Sequence, residues 1–214
     1  MKVMQLLPEL NSGGVERGTL EIDRALVAQG HTSLVVSNGG RMVNQLEAEG
    51  STHLKLAIHK KSLSSLWQIR PLRQLIVQHQ PDIVHVRSRV PAWLTHFALK
   101  GIPAEKRPHL ISTVHGFYSI NRYSQIMTQA EKVIAVSDSV VKYIRDHYQN
   151  CPPEDIVRIY RGIDPAAFPH GYQPSAQWIQ QTYQDFPELE HKFLICLPGR
   201  IPRLKGHETL IDLI

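Results

Sequence analysis

A doubly wound α/β architecture around a parallel sheet is predicted by three features of this sequence. Short apolar runs recur along the chain, stretches with helical spacing of apolar residues lie between them, and a glycine pair, Gly13-Gly14, separates the first run from the first helical stretch. Parallel neighbours need crossovers of ten or more residues, so this alternation implies helices on both faces of one sheet.

Residues 2–7 read as the first strand. Apolar residues at Val15, Leu20, Ile22, Leu26 and Val27 give residues 15–29 a helical stripe, which Gly30 ends. Residues 32–37 form the second strand, closed by Asn38-Gly39-Gly40. A short helix over 42–49 leads to a strand over 53–58, and residues 64–80 have helical spacing with Pro71 as a kink or break. A strand at 82–87, a helix at 92–100 and strands at 109–114 and 132–136 follow. Ser137 N-caps a helix that runs from Asp138 to about residue 148, and 157–160 is the last strand of the set.

Residues 164–190 contain four prolines and little periodicity, the composition of a linker with one helix around 177–183. Residues 193–199 then make a short apolar run of the kind expected for a doubly buried parallel strand, and 208–214 open a helical pattern. One strand and part of one helix cannot bury their own apolar faces. The expected organisation is a first doubly wound domain over 1–165, a linker over 166–190, and the truncated start of a second such domain over 191–214.

Apolar content of 42% and charged content of 20% describe a globular chain and exclude a disordered one. No apolar stretch approaches the roughly 18–20 residues that span a bilayer, and the first residues lack the pattern of a signal peptide. Cys151 and Cys196 have no metal-ligand spacing, which fits a reduced, cytoplasmic location with both thiols as packing residues. The net charge of +5 is uneven: residues 51–124 hold eleven Lys or Arg against two acids, Asp82 and Glu105. Such a segment either meets an anionic partner or forms a solvated basic surface. No nucleic-acid-reading motif accompanies it, so nucleic acid is not an expected partner.

A dinucleotide oxidoreductase needs Gly-x-Gly-x-x-Gly and an acidic residue ending the second strand. Here the glycines are Gly13, Gly14 and Gly18, and the second strand ends Val36-Ser37-Asn38. Both requirements fail. What remains is a glycine pair ahead of a helix, which lets backbone approach an anion at the helix N-terminus and equally describes a tight turn.

The order of short motifs carries more. Gly13-Gly14-Val15-Glu16-Arg17, Pro81-Asp82-Ile83-Val84-His85, Thr113-Val114-His115-Gly116, Val133-Ile134-Ala135-Val136-Ser137, Arg161-Gly162-Ile163-Asp164 and Gly199-Arg200-Ile201-Pro202-Arg203-Leu204-Lys205-Gly206 follow one another along nearly the whole chain. Together they resemble family four glycosyltransferases. The segment from Arg87 to Trp93 looks like a bacterial subgroup linked to lipopolysaccharide assembly. The resemblance implies a GT-B arrangement of two Rossmann-like domains, the first mainly for acceptor and the second mainly for a nucleotide-sugar donor. It also implies transfer with retention of configuration, as a hexosyltransferase without a required metal or other cofactor.

On that resemblance Gly13, Gly14, Arg200 and Lys205 are donor-binding, because fixed cations and amides must meet the charge that develops on a departing diphosphate. His115, just past a strand, matches the family's histidine beside the transferred sugar and is the candidate catalytic residue. His85, Arg87 and Arg89 are acceptor-binding candidates; His85 equally suits packing at a strand end, and the arginines equally suit pairing with acids of the chain. Arg161 stands where many relatives carry Asn. The basic stretch from His59-Lys60-Lys61 through Trp67, Arg70 and Arg73 suits an anionic membrane surface, a peripheral site at the inner face of the cytoplasmic membrane. The expected partners are a nucleotide-sugar donor and a glycan or lipid-linked acceptor. The family's paired glutamates fall beyond residue 214, so this chain by itself is expected to transfer sugar extremely slowly or not at all. A GT-B-like nucleotide-sugar epimerase and a non-catalytic doubly wound ligand-binding module are the alternatives.

Overall fold

The computed structural model describes residues 1–199 and 206–213, and the chain divides into two compact units, Met1–Gly162 and Ile163–Ile214. In the first unit seven strands form one wholly parallel sheet in the order β3-β2-β1-β4-β5-β6-β7. They are β1 Lys2–Leu6, β2 Thr32–Ser37, β3 Thr52–Lys55, β4 Ile83–Val86, β5 His109–Val114, β6 Lys132–Ala135 and β7 Ile156–Arg158. The crossovers carry α1 Gly14–Ala28, α2 Val43–Ala48, α3 Ile69–His79, α4 Arg89–Lys100 and α5 Asp138–His147. This is the expected Rossmann-like α/β architecture.

Alternation along the strands assigns the two faces. Met4, Leu6, Val84, Val86, Val114, Val133 and Ala135 belong to one large apolar cluster with Leu72 and Ile76 of α3, Leu94 and Ala98 of α4, and Ile144 of α5. The intervening side chains point the other way, as the two-residue period requires. There Leu7, Leu10 and Val35 pack with Leu20 of α1 and Leu46 of α2 in a smaller cluster. That second face also carries buried polar residues, Gln5, His85, Arg87 and Thr113.

Local chemistry explains the element ends. Ser137 Oγ accepts from Val140 N at 3.2 Å, the expected N-cap of α5. Pro71 neither kinks nor breaks a long helix. A 3-10 turn over Leu63–Gln68 leads into α3, and Pro71 falls in the first turn of α3, where a missing N–H costs no intrahelical bond. Helix α4 begins three residues earlier than expected, at Arg89, because Pro91 is likewise accommodated in a first turn.

In the second unit, helix α6 Ala176–Asp185 is capped by Ser175, whose Oγ accepts from Trp178 N at 3.2 Å, and helix α7 spans His207–Leu213. Residues 193–199, expected as a buried strand, pair with no strand among the described residues, and Phe193 is 92% exposed. An apolar run becomes a parallel strand only when neighbours accept its ladder. Cys151 is buried as expected, whereas Cys196 in this segment is exposed and does not pack.

Candidate functional site

The sheet reverses its winding between β1 and β4, and ligands of open parallel sheets bind outside the carboxyl ends of the strands at such a point. β1 leads into the Gly13-Gly14 turn. Gly13 adopts φ +140°, and a Cβ there would lie 2.6 Å from Glu16 Oε2, so only glycine suits the position. Gly14 opens α1, and its carbonyl accepts a hydrogen bond from Arg161 Nη1.

β4 delivers His85 and, immediately past its end, Arg87. His85 lies in register with Gln5 and Ile111, and its Nε2 meets Thr113 Oγ1 at 2.7 Å. Burial, reinforced by Arg87 and then His115, pushes the His85 imidazole down to about 3, so it is neutral near pH 7. Arg87 is only 4% exposed. Its Nη1 donates to Gln5 Oε1 at 2.9 Å, Gln5 Nε2 donates to Asp23 Oδ1 at 2.9 Å, and Ser33 Oγ donates to the same carboxylate oxygen. Burial, then the nearby Arg161, lower the Arg87 guanidinium to about 10, which leaves it charged. Burial raises Asp23 to about 6 against the hydrogen bonds from Ser33 and Gln5. This polar network runs beneath α1 through the sheet face.

β5 delivers His115. Both of its ring nitrogens are buried and without a partner. Burial, then Arg87 and Arg161, push the imidazole down to about 3. A neutral histidine offers one N–H and one lone pair. It borders a cavity of about 180 Å³ lined also by Gly18, Glu21, Arg87, Thr113 and Arg161. The arrangement can donate to and accept from a hydroxyl at His115 while guanidiniums face an anionic oxygen.

Of the residues singled out in the sequence, His85, Arg87 and His115 thus come together, with Gly13 and Gly14 at the head of α1. Arg89 is not among the residues that line that cavity. Its Nη1 donates to Ser124 Oγ at 3.1 Å and its guanidinium lies 4.9 Å and 5.4 Å from the ring centres of Tyr118 and Tyr123. Arg200 and Lys205 lie outside the described residues. Sequence reasoning missed Gln5, Gly18 and Asp23. The signals available were a glycine within the α1 pattern and an acid on that helix's buried side, neither informative without the sheet register. Arg161, noted only as a departure from Asn, proves central, reaching Gly14 O with one nitrogen and lying 3.6 Å from Glu21 Oε2 with the other.

The basic stretch divides as well. Leu63 and Trp67 are 85% and 83% exposed. Lys61 Nζ sits 4.4 Å over the Tyr123 ring. Arg73 is occupied instead, donating through Nε to Ala98 O at 3.0 Å near the carboxyl end of α4, where a cation meets the helix dipole. No described helix is long and apolar enough to cross a membrane.

A parallel sheet with a polar crevice at its switch point defines a Rossmann-like α/β protein. Residues 12–167 match the profile of Glycosyltransferase Family 4, and the chain belongs to that family. The structure is similar to a glycosyltransferase from Rickettsia africae ESF-5, at 29% identity and a TM-score of 0.80, over 99% of this chain and 56% of that one. It is also similar to Anabaena Alr3699/HepE, solved in complex with UDP-glucose, at 21% identity and a TM-score of 0.74, over 99% and 56% respectively. WaaG, a glycosyltransferase involved in lipopolysaccharide biosynthesis, aligns at 15% identity and a TM-score of 0.57, over 86% of this chain and 51% of that one. This chain therefore spans little more than half the length of these proteins. No curated protein matches it.

Proposed function

We propose that the first unit is the acceptor-side half of a retaining hexosyltransferase that uses a nucleotide-sugar donor and builds cell-surface polysaccharide or lipopolysaccharide. The observation that carries this reading is the neutral, unpartnered His115 at the end of β5, beside two guanidiniums, in a chain of Glycosyltransferase Family 4. The donor proposal is supported by HepE, which was solved with UDP-glucose, and the lipopolysaccharide role by WaaG.

In this reading the transferred sugar lies against His115, whose ring bonds a hydroxyl. The departing diphosphate meets the head of α1 at Gly13 and Gly14, and Arg200 and Lys205 are assigned to donor binding by the family resemblance alone. His85, held neutral by burial, and Arg87 form the floor on the acceptor side, with Arg89 at its flank. No metal is needed, because the charge on the leaving oxygens is met by cations and amides. The exposed Leu63 and Trp67, with the lysines beside them, rest on the anionic inner face of the cytoplasmic membrane. The 214-residue chain alone turns over extremely slowly or not at all.

The test is transfer of radiolabel from UDP-, GDP- and ADP-sugars to an extract-derived acceptor. It is run with the chain alone and with a chimera in which the carboxyl-terminal half of the Rickettsia africae protein follows residue 199. The chimera should transfer label with retention, seen in the product's anomeric NMR signals, and His115→Ala should lower kcat at least a hundredfold. Ordinary turnover by the chain alone refutes the inactivity proposal. A free epimerised sugar nucleotide as product refutes transfer.

A further inference from the structure

Arg87 and Arg161 leave β4 and β7 and meet again across α1, at Gly18. A Cβ placed on Gly18 would lie 2.6 Å from Arg161 Nη2 and 3.2 Å from Arg87 Nη2. The two guanidinium tips therefore border one small space, open because that residue has no side chain.

This pair is poorly neutralised. Among the described residues Arg87 makes no ion pair, and its Nε is buried without a partner. Its nearest link to a carboxylate runs through the neutral amide of Gln5 to Asp23. Glu21 stands 3.6 Å from Arg161 Nη2, beyond ordinary hydrogen-bond distance, and both side chains are more than a third exposed. The two His115 nitrogens at the rim are unpartnered as well. Burying an unpaired cation is unfavourable, and a second cation beside it adds repulsion. An anion with two or more oxygens relieves both, since guanidinium forks match carboxylate and phosphate geometry.

Size restricts the occupant. The cavity of about 180 Å³ is smaller than the roughly 300–1,000 Å³ of sites that enclose whole cofactors or nucleotides. It has room for one anionic group and part of the ring that bears it. We propose that this cleft is an anion subsite for the sugar acceptor, taking a phosphoryl monoester or carboxylate between Arg87 and Arg161 across Gly18, with His115 at its rim. The assignment to the acceptor rests on the glycosyltransferase reading; the anion site itself does not. Arg161 then serves two neighbours, steadying the Gly14 carbonyl through Nη1 and facing the acceptor anion through Nη2.

Binding can be read without catalysis. The 214-residue chain, labelled in its histidine side chains, is titrated with inorganic phosphate, acetate and UDP at constant ionic strength, following the His115 ring signal. Phosphate or acetate should shift that signal saturably, and Arg161→Gln should weaken the effect at least tenfold, whereas UDP should not displace the bound anion. No saturable shift, or one that Arg161→Gln leaves intact, overturns the subsite and leaves the transfer reading to its own assay. Displacement of phosphate by UDP assigns the cleft to the donor diphosphate and overturns the acceptor assignment. Should Arg161→Gln melt early, Glu21→Gln keeps both guanidiniums and removes the competing carboxylate. It should tighten phosphate binding severalfold, and unchanged or weaker binding counts against the proposal.

Discussion

Gln5 donates from Nε2 to Asp23 Oδ1 at 2.9 Å while its Oε1 accepts from Arg87 at the same distance. One neutral amide on β1 thereby couples a buried carboxylate on α1 to a buried guanidinium beyond β4. Replacing Gln5 with Leu strips both ions of that partner. The unfolding free energy should fall by about 3 kcal/mol or more, as for a buried charge left without a partner. Urea denaturation at pH 7.5 measures it, and a loss below about 1 kcal/mol would show that the network is not needed.

Acid should destabilise the fold through its histidines. The His85 and His115 imidazoles stand near 3 in the native state, below their ordinary value of 6.5. Between those values the unfolded chain binds more protons, so their contribution is complete above about pH 6.5 and is lost as pH falls toward 3. Asp23 acts in the opposite sense. Raised from 3.8 to about 6, it stabilises most below pH 3.8 and loses that contribution as pH rises through 6. Two histidines outweigh one aspartate, so Tm should drop from pH 7 to pH 4. Asp23→Asn should raise Tm at pH 7.5 and steepen the drop, by thermal melts across that range.

Two glycines should respond differently to alanine. At Gly18 the new Cβ meets the ends of arginine side chains, and alanine favours the helix by about 0.5–1 kcal/mol, so stability should change little. Arg161 would be displaced, and phosphate affinity should fall at least tenfold by the His115 titration. At Gly40, φ is +147° and the Cβ would lie 2.5 Å from Leu10 backbone atoms. Gly40→Ala should cost about 3 kcal/mol in urea denaturation.

Membrane association should depend on Leu63 and Trp67. A double change to Ser should reduce co-sedimentation with anionic vesicles at low salt severalfold while Tm stays within about 1 °C, since both side chains are already exposed. Failure of the unaltered chain to sediment would end that proposal.

How much was legible follows from how far each feature reaches along the chain. The ends of β2 and β5 agree with the sequence to the residue, as does the Ser137 cap, because period and capping chemistry are local. Pro71 misled because proline is tolerated in a first turn, and the preceding 3-10 segment lacks its own hydrophobic signature. Arg89 read either as an acceptor ligand or as a partner for acids of the chain; the rings it meets, Tyr118 and Tyr123, lie on a loop whose path no periodicity describes.

From its residues alone the chain determined a parallel doubly wound sheet, the glycine turn at the head of α1, and a series of short motifs that place His115 past a strand end. Those are matters of neighbours a few positions apart. Only the tertiary structure decided that Arg161 would reach Gly14 across 147 positions, that Arg87 would reach Gln5 across 82, and that Gly18 would leave room for both guanidiniums. Such meetings depend on the order and register of strands in the finished sheet, where a one-residue slip would turn each side chain to the opposite face.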